Sequence, residues 1–507
     1  MFIRQKKNKS GSKSVQIISK AYKKYKVIKT LGSSKDEKIL KELVNKAKQE
    51  IENLQQQYQL YLNSTEETIF KLISDLKNSN IRIVGPELIF GRIYDKIGFS
   101  AINEPLFRHL VIARVAYPLS KLKTVSYLSR YQGITIDIDS IYRFMDKLND
   151  KLKPQIEQIS FEHTNRILKG NLSVVFYDMT TLYFEASDED DLRMSGFSKD
   201  GKHSNPQIYL GLLVGLGGYA IGYQIYEGKL SEGHTLIPFI EGIRKKFNLD
   251  KPILVADSGL LSSKNTQALR EMGYKYILGG RIKNERAEIK QKILSHKPST
   301  EKPIVIEKNA NEKLIVSYSP ARAKKDMYNR QKGLKRLEKQ IKSGKLTKSN
   351  INNRGYNKYL KMNGKVNIEI DYGKYEADSC WDGLKGYITN TELEPNLVIE
   401  HYNNLWYIEK AFRMSKTDLR IRPIYHRVRR RIEAHICISF TAYCIYKELE
   451  RVLNEEKLDI SIVNAVELTY NMFELTYTVP ETNRLIKKLL QMDEKQAELY
   501  KIVEKHF

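Results

Sequence analysis

The chain has 507 residues, of which 41% are hydrophobic, and its formal net charge is +26. A chain of this length and composition buries sizeable cores and is expected to be folded and globular, with roughly three domains. Its three cysteines form no CxxC or Cys/His cluster, which argues against structural zinc and a disulfide framework. No apolar run approaches the roughly 20 residues of a membrane span, and no apolar signal core is present at the N-terminus. We therefore expect a cytoplasmic protein with no membrane partner.

The positive charge is concentrated in two segments. Residues 1–30 contain ten Lys or Arg and no acid, and residues 321–362 contain fourteen basic residues and two acids. Such clustering favours a polyanionic partner, because each neutralised phosphate releases counterions, whereas solubility needs no clustering. Nucleic acid is the expected partner. Two solvated charged segments are the alternative, and for the first thirty residues the two interpretations have equal weight.

The N-terminal third is predicted to be mostly helical. Residues 1–34 are predicted as a basic flexible arm, since they are rich in Lys and Ser and poor in pattern. Residues 35–165 are predicted as a helical region, beginning with a helix over 35–80 that has apolar residues at helical spacing among charges. This region is interpreted as DNA-binding or dimerising, with a simple scaffold as the alternative.

Residues 166–285 alternate strands with helices and predict a mixed α/β sheet. The run SVVFYDMTTLYFE, residues 173–185, is predicted as a central strand that carries Asp178. The segment PILVADSGL ends a second strand at Asp257, at the carboxyl end where such sheets place sites. Burying a carboxylate costs on the order of several kcal/mol unless a cation or strong donors offset it. These acids therefore predict a metal site.

The remainder of the chain is divided into three parts. Residues 286–390 interrupt the alternation and are interpreted as a basic insertion domain. Residues 391–455 are predicted to complete the core, and residues 456–507 to form a C-terminal helical region. On a helical wheel of about 100° per residue, one third of the circumference holds Tyr402, Leu405, Trp406, Glu409, Phe412, Arg413 and Lys416. This places Glu409 on the inward face, where it either coordinates a cation or pairs with Arg413.

Three inward acids, an α/β sheet and excess positive charge together predict two-metal phosphodiester chemistry. In such chemistry two hard cations about 4 Å apart activate a nucleophile and stabilise a leaving oxygen. An all-carboxylate site suits Mg²⁺ better than zinc, and Mn²⁺ is expected to substitute for it.

Basic residues outside the acidic site are candidates for DNA contact. Lys199 and His203 follow the first strand, where phosphate contact and a solvated loop are equally expected. Arg429 and Arg430 begin an apolar helix and are expected to clamp phosphate. The basic helix of the insertion contributes Arg322, Lys324, Lys332, Lys335 and Arg336.

Several longer motifs carry a family resemblance between about residues 170 and 450. They are YDMTTLYFE, GFSKDGKHSNPQIYLGLLV, VADSGLLS, YSPARAKKD, WDGLKGYITNTEL, YNNLWYIEKAFRMSKTDLRIRPIYH and RRRIEAHICISFTAY. With these motifs the chain resembles the DDE transposases of bacterial insertion sequences, in the branch whose RNase H-like core is interrupted by an insertion before the last acid. The resemblance implies that Asp178, Asp257 and Glu409 form the catalytic metal-binding triad, and that Tyr402 and Lys416 handle the transposon end.

The resemblance also implies an activity and its partners. It implies a cut-and-join transposase that acts on terminal inverted repeats and target DNA, as a homodimer in the DNA complex, near the bacterial nucleoid. Leu405 departs from the motif, which commonly has Arg there, so a hairpin intermediate at the transposon end is left open, with Arg413 as the candidate substitute. The alternatives are an RNase H-like nuclease or resolvase and a catalytically inactive DNA-binding protein.

Overall fold

The computed structural model describes residues 1–21, 24–196, 198, 201–230, 235–260, 262–296, 302–352, 354–363, 367–479 and 482–507. The chain divides into two compact units. The first comprises Met1–Arg82 and Phe473–Gln491, and the second comprises Ile83–Met472 and Met492–Phe507. Within these described ranges, no helix combines the length and the apolar character that crossing a bilayer requires.

The first unit begins with a three-stranded antiparallel sheet. Its strands, in spatial order, are β1 (Phe2–Lys7), β2 (Lys13–Ala21) and β3 (Lys24–Ser34). Val15 and Ile17 alternate with polar residues on β2, so they share one face of the strand, and both are fully buried. The predicted flexible arm over residues 1–34 is therefore wrong. The basic residues that suggested an arm flank an apolar strand face that is sufficient for a small core.

The core of this unit is completed by the long helix α1 (Glu37–Asp75), which confirms the helix predicted over residues 35–80. Asp36 caps the helix, because its side chain accepts a hydrogen bond from the Lys38 backbone N–H at 2.7 Å. Leu40 and Ala47, on one face of α1, cluster with the buried side chains of β2.

A second small sheet contains strands from both ends of the chain. Its order is β16-β15-β4, with β4 at Ile81–Ile83, β15 at Phe473–Thr478 and β16 at Leu485–Leu489. The region 456–507 is thus not wholly helical as predicted. β15 (FELTYT) alternates apolar and polar residues, and β16 (LIKKL) contains two adjacent lysines. Segments of five or six residues are too short for periodicity to distinguish a strand from a surface helix.

The second unit begins with helices, as predicted. They are α2 (Arg92–Ile97), α3 (Pro105–Ala116), α4 (Lys121–Tyr127), α5 (Ile138–Lys147) and α6 (Lys153–Ile167). α2, α3, α5 and α6 contact the long helix α14 (Arg429–Glu455), as do α15 (Ile462–Leu468) and α16 (Glu494–His506). Within α14 the segment ICISFTAYCIY, residues 436–446, is apolar nearly all round and is buried throughout, as expected for an apolar helix.

A mixed sheet forms the centre of the second unit and confirms the predicted α/β class. Its described strands have the order β10-β11-β14-β9-β8-β5-β6-β7. They are β5 (Val174–Tyr183), β6 (Gln207–Val214), β7 (Ala220–Glu227), β8 (Ile253–Ala256), β9 (Tyr276–Gly280), β10 (Ile304–Asn309), β11 (Glu312–Tyr318) and β14 (Leu384–Thr389). β5 is parallel to β8, and β8 is parallel to β9, whereas the other neighbours are antiparallel. β5 is a central strand, as predicted.

Helices cover both faces of this sheet. One face packs against residues from α7 (Leu236–Phe247), α8 (Ser263–Glu271) and α9 (Ala287–His296). The other packs against residues from α12 (Pro395–Asn403), α13 (Trp406–Arg413) and α14. Because successive side chains of a strand alternate between faces, Tyr177 joins the first core and Phe176 the second.

The predicted insertion over residues 286–390 is only partly separate from the sheet. β10, β11 and β14 come from its two ends and extend the central sheet beyond β9. Between β11 and β14 lie α10 (Pro320–Lys342), β12 (Leu360–Asn363), β13 (Asn367–Ile370) and α11 (Tyr372–Ala377). This middle part has its own core, which includes Leu337, Tyr359 and Ile370.

Candidate active site

Strand register aligns the first two predicted acids. In the parallel pair of β5 and β8, Tyr177 is the partner of Ala256, and Asp178 and Asp257 are the next residues of their chains. Adjacent strands lie about 4.8 Å apart, so the two acids lie at the same level of the sheet, where β8 ends. Asp178 is half-buried, and Asp257 is exposed at the start of a loop. This loop position is typical of sites in open α/β sheets.

Helix α13 carries the third predicted acid against the strand of the first. Asp178 shares a sheet face with Phe176, because the two are separated by one residue. The Phe176 ring meets the Tyr407 ring of α13 edge-on, with 6.2 Å between the centroids. α13 also contacts β6. The structure therefore brings the helix that contains Glu409 onto the face of the sheet to which Asp178 belongs.

The predicted inward stripe around Glu409 is partly wrong. Glu409 and Arg413 are exposed, and Trp406, which belongs to the same predicted stripe, is 47% exposed. The helical wheel assumes one continuous helix, whereas α12 ends at Asn403, α13 begins at Trp406, and a π-helical turn follows from Met414. The break between α12 and α13 rotates the residues that follow it, so that Ile408, Ala411 and Phe412 form the buried face of α13.

Arg413 does not neutralise Glu409, although the sequence left that pairing open as the alternative to cation binding. Glu409 and Arg413 are both described, and no ion pair joins them. The paired cation of this helix is Lys410, whose Nζ lies 2.5 Å from Glu450 Oε1. The carboxylate of Glu409 therefore stays available at the surface of α13.

Tyr402 is tied to the second acid. Its hydroxyl donates a hydrogen bond to Asp257 Oδ1 at 3.0 Å, and its side chain is buried. Burial, and then the neighbouring Asp257 carboxylate, raise the pKa of Tyr402 well above its usual range, so the phenol keeps its proton for this bond. Gly279 makes room for it, because a Cβ there would lie 2.4 Å from the Tyr402 hydroxyl oxygen.

Lys385 on β14 is a functional candidate that the sequence did not reveal. Its Nζ lies 4.5 Å from the centroid of the Tyr402 ring. Burial and then Arg322 lower the pKa of Lys385, whereas the charges of Asp257 and Glu409 oppose that shift. Lys385 is therefore within electrostatic reach of two predicted acids. Its only sequence signal is a lysine between apolar residues of a strand.

A groove of about 720 Å³ connects this cluster to the basic insertion. Its walls include Arg281, Arg322, Lys358 and Lys385. Arg281 donates a hydrogen bond to the carbonyl oxygen of Ser258, next to the second acid, at 2.7 Å. Asp326, Asp378 and Asp382 also line the groove and pair with Arg322, Lys358 and Arg330. Arg281 and Lys385 therefore supply the positive charge at the end of the groove next to Asp257.

The predicted basic face of α10 lies at the surface. Its exposed residues are Arg322, Lys324, Lys332, Lys335 and Arg336. Arg330 instead faces inward and pairs with Asp382. The helix thus separates one structural arginine from the cations that are accessible to a ligand.

The other predicted DNA contacts are scattered. Arg429 is exposed, whereas Arg430 Nε lies 2.9 Å from Asp146 Oδ1 and is therefore part of a structural ion pair. His203 Nδ1 accepts a hydrogen bond from the Ser198 backbone N–H at 3.2 Å.

Two motif residues near Glu409 differ in how far their side chains are buried. Lys416 is half-buried, and Leu405 is 7% exposed, so that Leu405 packs in the core instead of facing a ligand. The predicted DNA contact at Lys199 lies outside the described residues.

The donor set suits a hard cation. Asp178, Asp257 and Glu409 offer carboxylate oxygens, which Mg²⁺ and Mn²⁺ prefer over the nitrogen and sulfur ligands of zinc sites. In the described part of the chain, no three His, Cys, Asp or Glu side chains are grouped closely enough to hold a metal ion together. The alignment of two acids by strand register fits a shared metal, and the assignment of all three stays a prediction.

Comparison with known protein families identifies the class of protein. The family described as "Transposase DDE domain" matches residues 169–445, more than half of the chain, and the match contains all three predicted acids. The chain therefore belongs to the DDE transposase family, whose members use divalent metals. No protein in the curated collection matches it.

Solved structures give more distant similarities. The piggyBac transposase synaptic complex with hairpin DNA has 10% identity and a TM-score of 0.37, over 76% of this chain and 76% of that one. The Mos1 transposase paired-end complex with the left transposon end has 10% identity and a TM-score of 0.16, over 31% of this chain and 53% of that one. The Mos1 mariner paired end complex with Mn has 8% identity and a TM-score of 0.15, over 31% and 54%.

Proposed function

We propose that this chain is a cut-and-join DNA transposase of a bacterial insertion sequence, built on an RNase H-like core. Asp178, Asp257 and Glu409 hold Mg²⁺, with Mn²⁺ as a substitute. The observation that carries the proposal is the parallel register of β5 and β8, which aligns two acids within the segment that matches the DDE domain. Contact of α13 with the same strand supports the third acid.

The proposed reaction consists of two in-line displacements. A water oxygen attacks the phosphorus at the end of the element, and the 3′ oxygen leaves and takes up a proton. That 3′ hydroxyl then attacks a phosphorus of the target, forms a new ester bond and releases the 3′ oxygen of the target strand. Bound metal ions supply activation of the nucleophile and stabilisation of the leaving oxygen.

The residues of this chain position the charges for that reaction. Tyr402 holds Asp257 in one orientation through its hydrogen bond, as partners of metal ligands commonly do. Lys385 adds positive charge beside Asp257 and Glu409, where a scissile phosphate would bring negative charge. The exposed cations of α10 and the groove beside Arg281 offer a path for double-stranded DNA. A homodimer in the DNA complex would hold two element ends together.

A strand-transfer assay tests this function. The purified chain is incubated with Mg²⁺, a target plasmid and a labelled duplex that ends in a pre-cut 3′ hydroxyl. Joined product that requires Mg²⁺ supports a transposase. Cleavage of uncut element ends without any joining would identify a nuclease or resolvase instead. DNA binding that is unchanged in Asp178→Asn, with neither cleavage nor joining by the wild type, would identify an inactive DNA-binding protein.

A further inference from the structure

A second basic site lies in the second unit, in a cavity of about 560 Å³. It lies between the connection from α3 to α4 and the segment that precedes α14. Its basic lining includes Arg114, Lys121, Lys123, Arg422, His426 and His435. No acidic side chain is among the described residues that line it. The arginine and lysine side chains of this lining give the cavity a positive potential.

Two of these cations are buried without an acidic partner among the described residues. Arg114 and Lys121 are each 5% exposed. Arg114 Nη1 donates only long hydrogen bonds to the carbonyl oxygens of Leu419 and Arg420, at 3.5 and 3.4 Å. Lys121 has no ion pair with any residue that the structure describes. Burying a cation in this way is unfavourable unless an anion compensates it.

Electrostatics within the cavity agrees with this geometry. Burial lowers the pKa of Arg114 to about 10. Burial and then Arg114 lower the pKa of Lys121, and burial followed by Lys121 and Arg114 lowers the pKa of His426 to about 3. These groups therefore repel each other's charge, and an anion among them would stabilise all of them.

The cavity wall also contains a buried histidine nitrogen that has no hydrogen-bond partner among the described residues. His435 is buried, and its Nε2 lies 2.9 Å from the carbonyl oxygen of Ile421. Its other ring nitrogen, Nδ1, has no hydrogen-bond partner among the described residues. Buried polar atoms are nearly always paired, so an unpaired one on a cavity wall indicates a ligand or water.

We propose that this cavity binds a phosphate group. A phosphate oxyanion matches a forked guanidinium and an ammonium together, because it accepts several charge-assisted hydrogen bonds at once. The rim contains the exposed side chains Leu122 and Tyr425, which are 64% and 61% exposed. An apolar and an aromatic side chain at the rim suit a sugar or base attached to the phosphate.

The source of the phosphate is the DNA backbone, an assignment that rests on the proposed transposase function. A free mononucleotide or inorganic phosphate has the same chemistry and is the other source. The cavity is a different site from the acids, because its lining residues lie at 114–123, at Tyr142 and at 420–435, and none of the three predicted acids is among them. It would hold DNA away from the bond that reacts.

Thermal unfolding of the full chain tests the phosphate site. Wild type, Lys121→Met, Lys121→Arg and Lys96→Met are compared in phosphate and in chloride at equal ionic strength. Lys96 is an exposed lysine of α2 and does not line the cavity, so it controls for loss of one charge. Phosphate also stabilises proteins generally, and the difference between variants removes that contribution.

The expected Tm of Lys121→Met relative to the wild type differs between chloride and phosphate. In chloride, Lys121→Met is expected to unfold at the same temperature as the wild type or higher, because an uncompensated buried cation is removed. In phosphate, the additional rise in Tm of the wild type is absent from Lys121→Met and kept in Lys121→Arg and Lys96→Met. An equal rise in Tm for Lys121→Met and wild type would overturn the proposal.

DNA binding distinguishes the two sources. Anisotropy of a labelled duplex is measured against salt for the same variants. With DNA as the source, the salt slope of Lys121→Met is shallower by about 0.9, the value for one neutralised phosphate. A phosphate effect on Tm that disappears while the DNA salt slope stays unchanged would overturn the DNA source and leave a soluble phosphate compound as the ligand.

These assays can reject the phosphate-site proposal and the transposase proposal independently. A wild type that joins DNA, with a phosphate effect on Tm that is independent of Lys121, would reject the cavity alone. A wild type that neither cuts nor joins DNA, with a phosphate effect that requires Lys121, would reject the transposase activity and keep the phosphate site.

Discussion

The second unit holds its candidate functional charges in two different ways. Asp178 and Asp257 lie at one level of the central sheet, because the backbone pairing of β5 with β8 fixes their register. The cations of α10 instead extend from a single helix into solvent, and the packing of that helix depends on other residues, such as Gly333 and Leu337. The acids are few and fixed by the sheet, whereas the cations are many and solvated.

This difference predicts different responses to substitution. Two carboxylates that share a metal act at one point, so loss of either removes the function of both. Exposed cations are screened over a Debye length of about 10 Å at 0.1 M salt, and each contributes separately to binding of a polyanion. Substitutions among the acids should therefore abolish cleavage, and substitutions along α10 should give graded effects on affinity.

The largest effect is expected from the acids. Asp178→Asn, Asp257→Asn and Glu409→Gln should each lower Mg²⁺-dependent cleavage by at least about a thousandfold, which corresponds to about 4 kcal/mol of transition-state stabilisation. Folding and DNA binding should persist, since removing one of several like charges relieves repulsion when no metal is bound. Cleavage rates and duplex affinities measured in parallel check both expectations.

The control for these variants is Asp250→Asn, which removes an exposed carboxylate just before β8. It should leave cleavage unchanged. Robust cleavage by any one of the three variants would remove that residue from the catalytic site.

An intermediate effect is expected from Tyr402→Phe. The ring and its packing remain, and only the hydroxyl that donates to Asp257 is removed. Substituting such partners of metal ligands typically costs about 10- to 100-fold in metal affinity or activity. Cleavage measured against Mg²⁺ concentration should show a raised metal requirement.

A matched control is available for this substitution. Tyr387 lies beside Tyr402, with 5.0 Å between the ring centroids, and its hydroxyl is hydrogen-bonded to Ser317. Tyr387→Phe should therefore leave the metal requirement unchanged. If both variants lose the same activity, Tyr402 acts through packing and not through Asp257.

Lys385→Met should change metal binding in the opposite direction. Removing a cation near Asp257 and Glu409 makes the site more negative, so the Mg²⁺ concentration that gives half-maximal thermal stabilisation should fall by roughly tenfold, as removal of about 1.4 kcal/mol of repulsion predicts. Lys313→Met on the neighbouring strand β11, where Lys313 lies 3.4 Å from Glu392, should have no such effect. An unchanged metal requirement in Lys385→Met would place Lys385 outside the reach of the metal site, and a raised one would mean that Lys385 supports metal binding instead of opposing it.

The two charge patterns also differ in how well the sequence predicts them. Asp178 and Asp257 are identifiable because each is the acid of a local apolar run. Asp178 lies within its strand, whereas Asp257 follows the end of its strand, where such sheets place sites. The cations of α10 are identifiable from composition alone. In both cases the pattern that identifies the residues is local in sequence and does not depend on contacts between distant segments.

The remaining features depend on contacts between distant segments. Lys385 reaches the acids only because β14 pairs with β9, more than a hundred residues earlier in the chain. The exposure of Glu409 follows from the break between α12 and α13, which no proline or glycine marks. The N-terminal sheet is stable because α1 covers Val15 and Ile17, and a lysine-rich composition hides that pairing.

The smallest effect on cleavage is expected from the basic face of α10. Neutralising Lys332, Lys335, Arg336 and Lys339 to Gln should weaken duplex binding and make the salt slope shallower by about 0.9 for each phosphate that is no longer neutralised. At saturating DNA the cleavage rate should stay within a few-fold of the wild type, because these side chains lie on a helix distinct from the acids. Glu338→Gln, on the same helix, removes a negative charge and should strengthen binding slightly. If the quadruple variant instead loses cleavage at saturating DNA, α10 must position the scissile phosphate, and the contrast between fixed acids and graded cations fails. An unchanged salt slope would make α10 a solvated surface helix, and the groove beside Arg281 would be the next candidate for the DNA path.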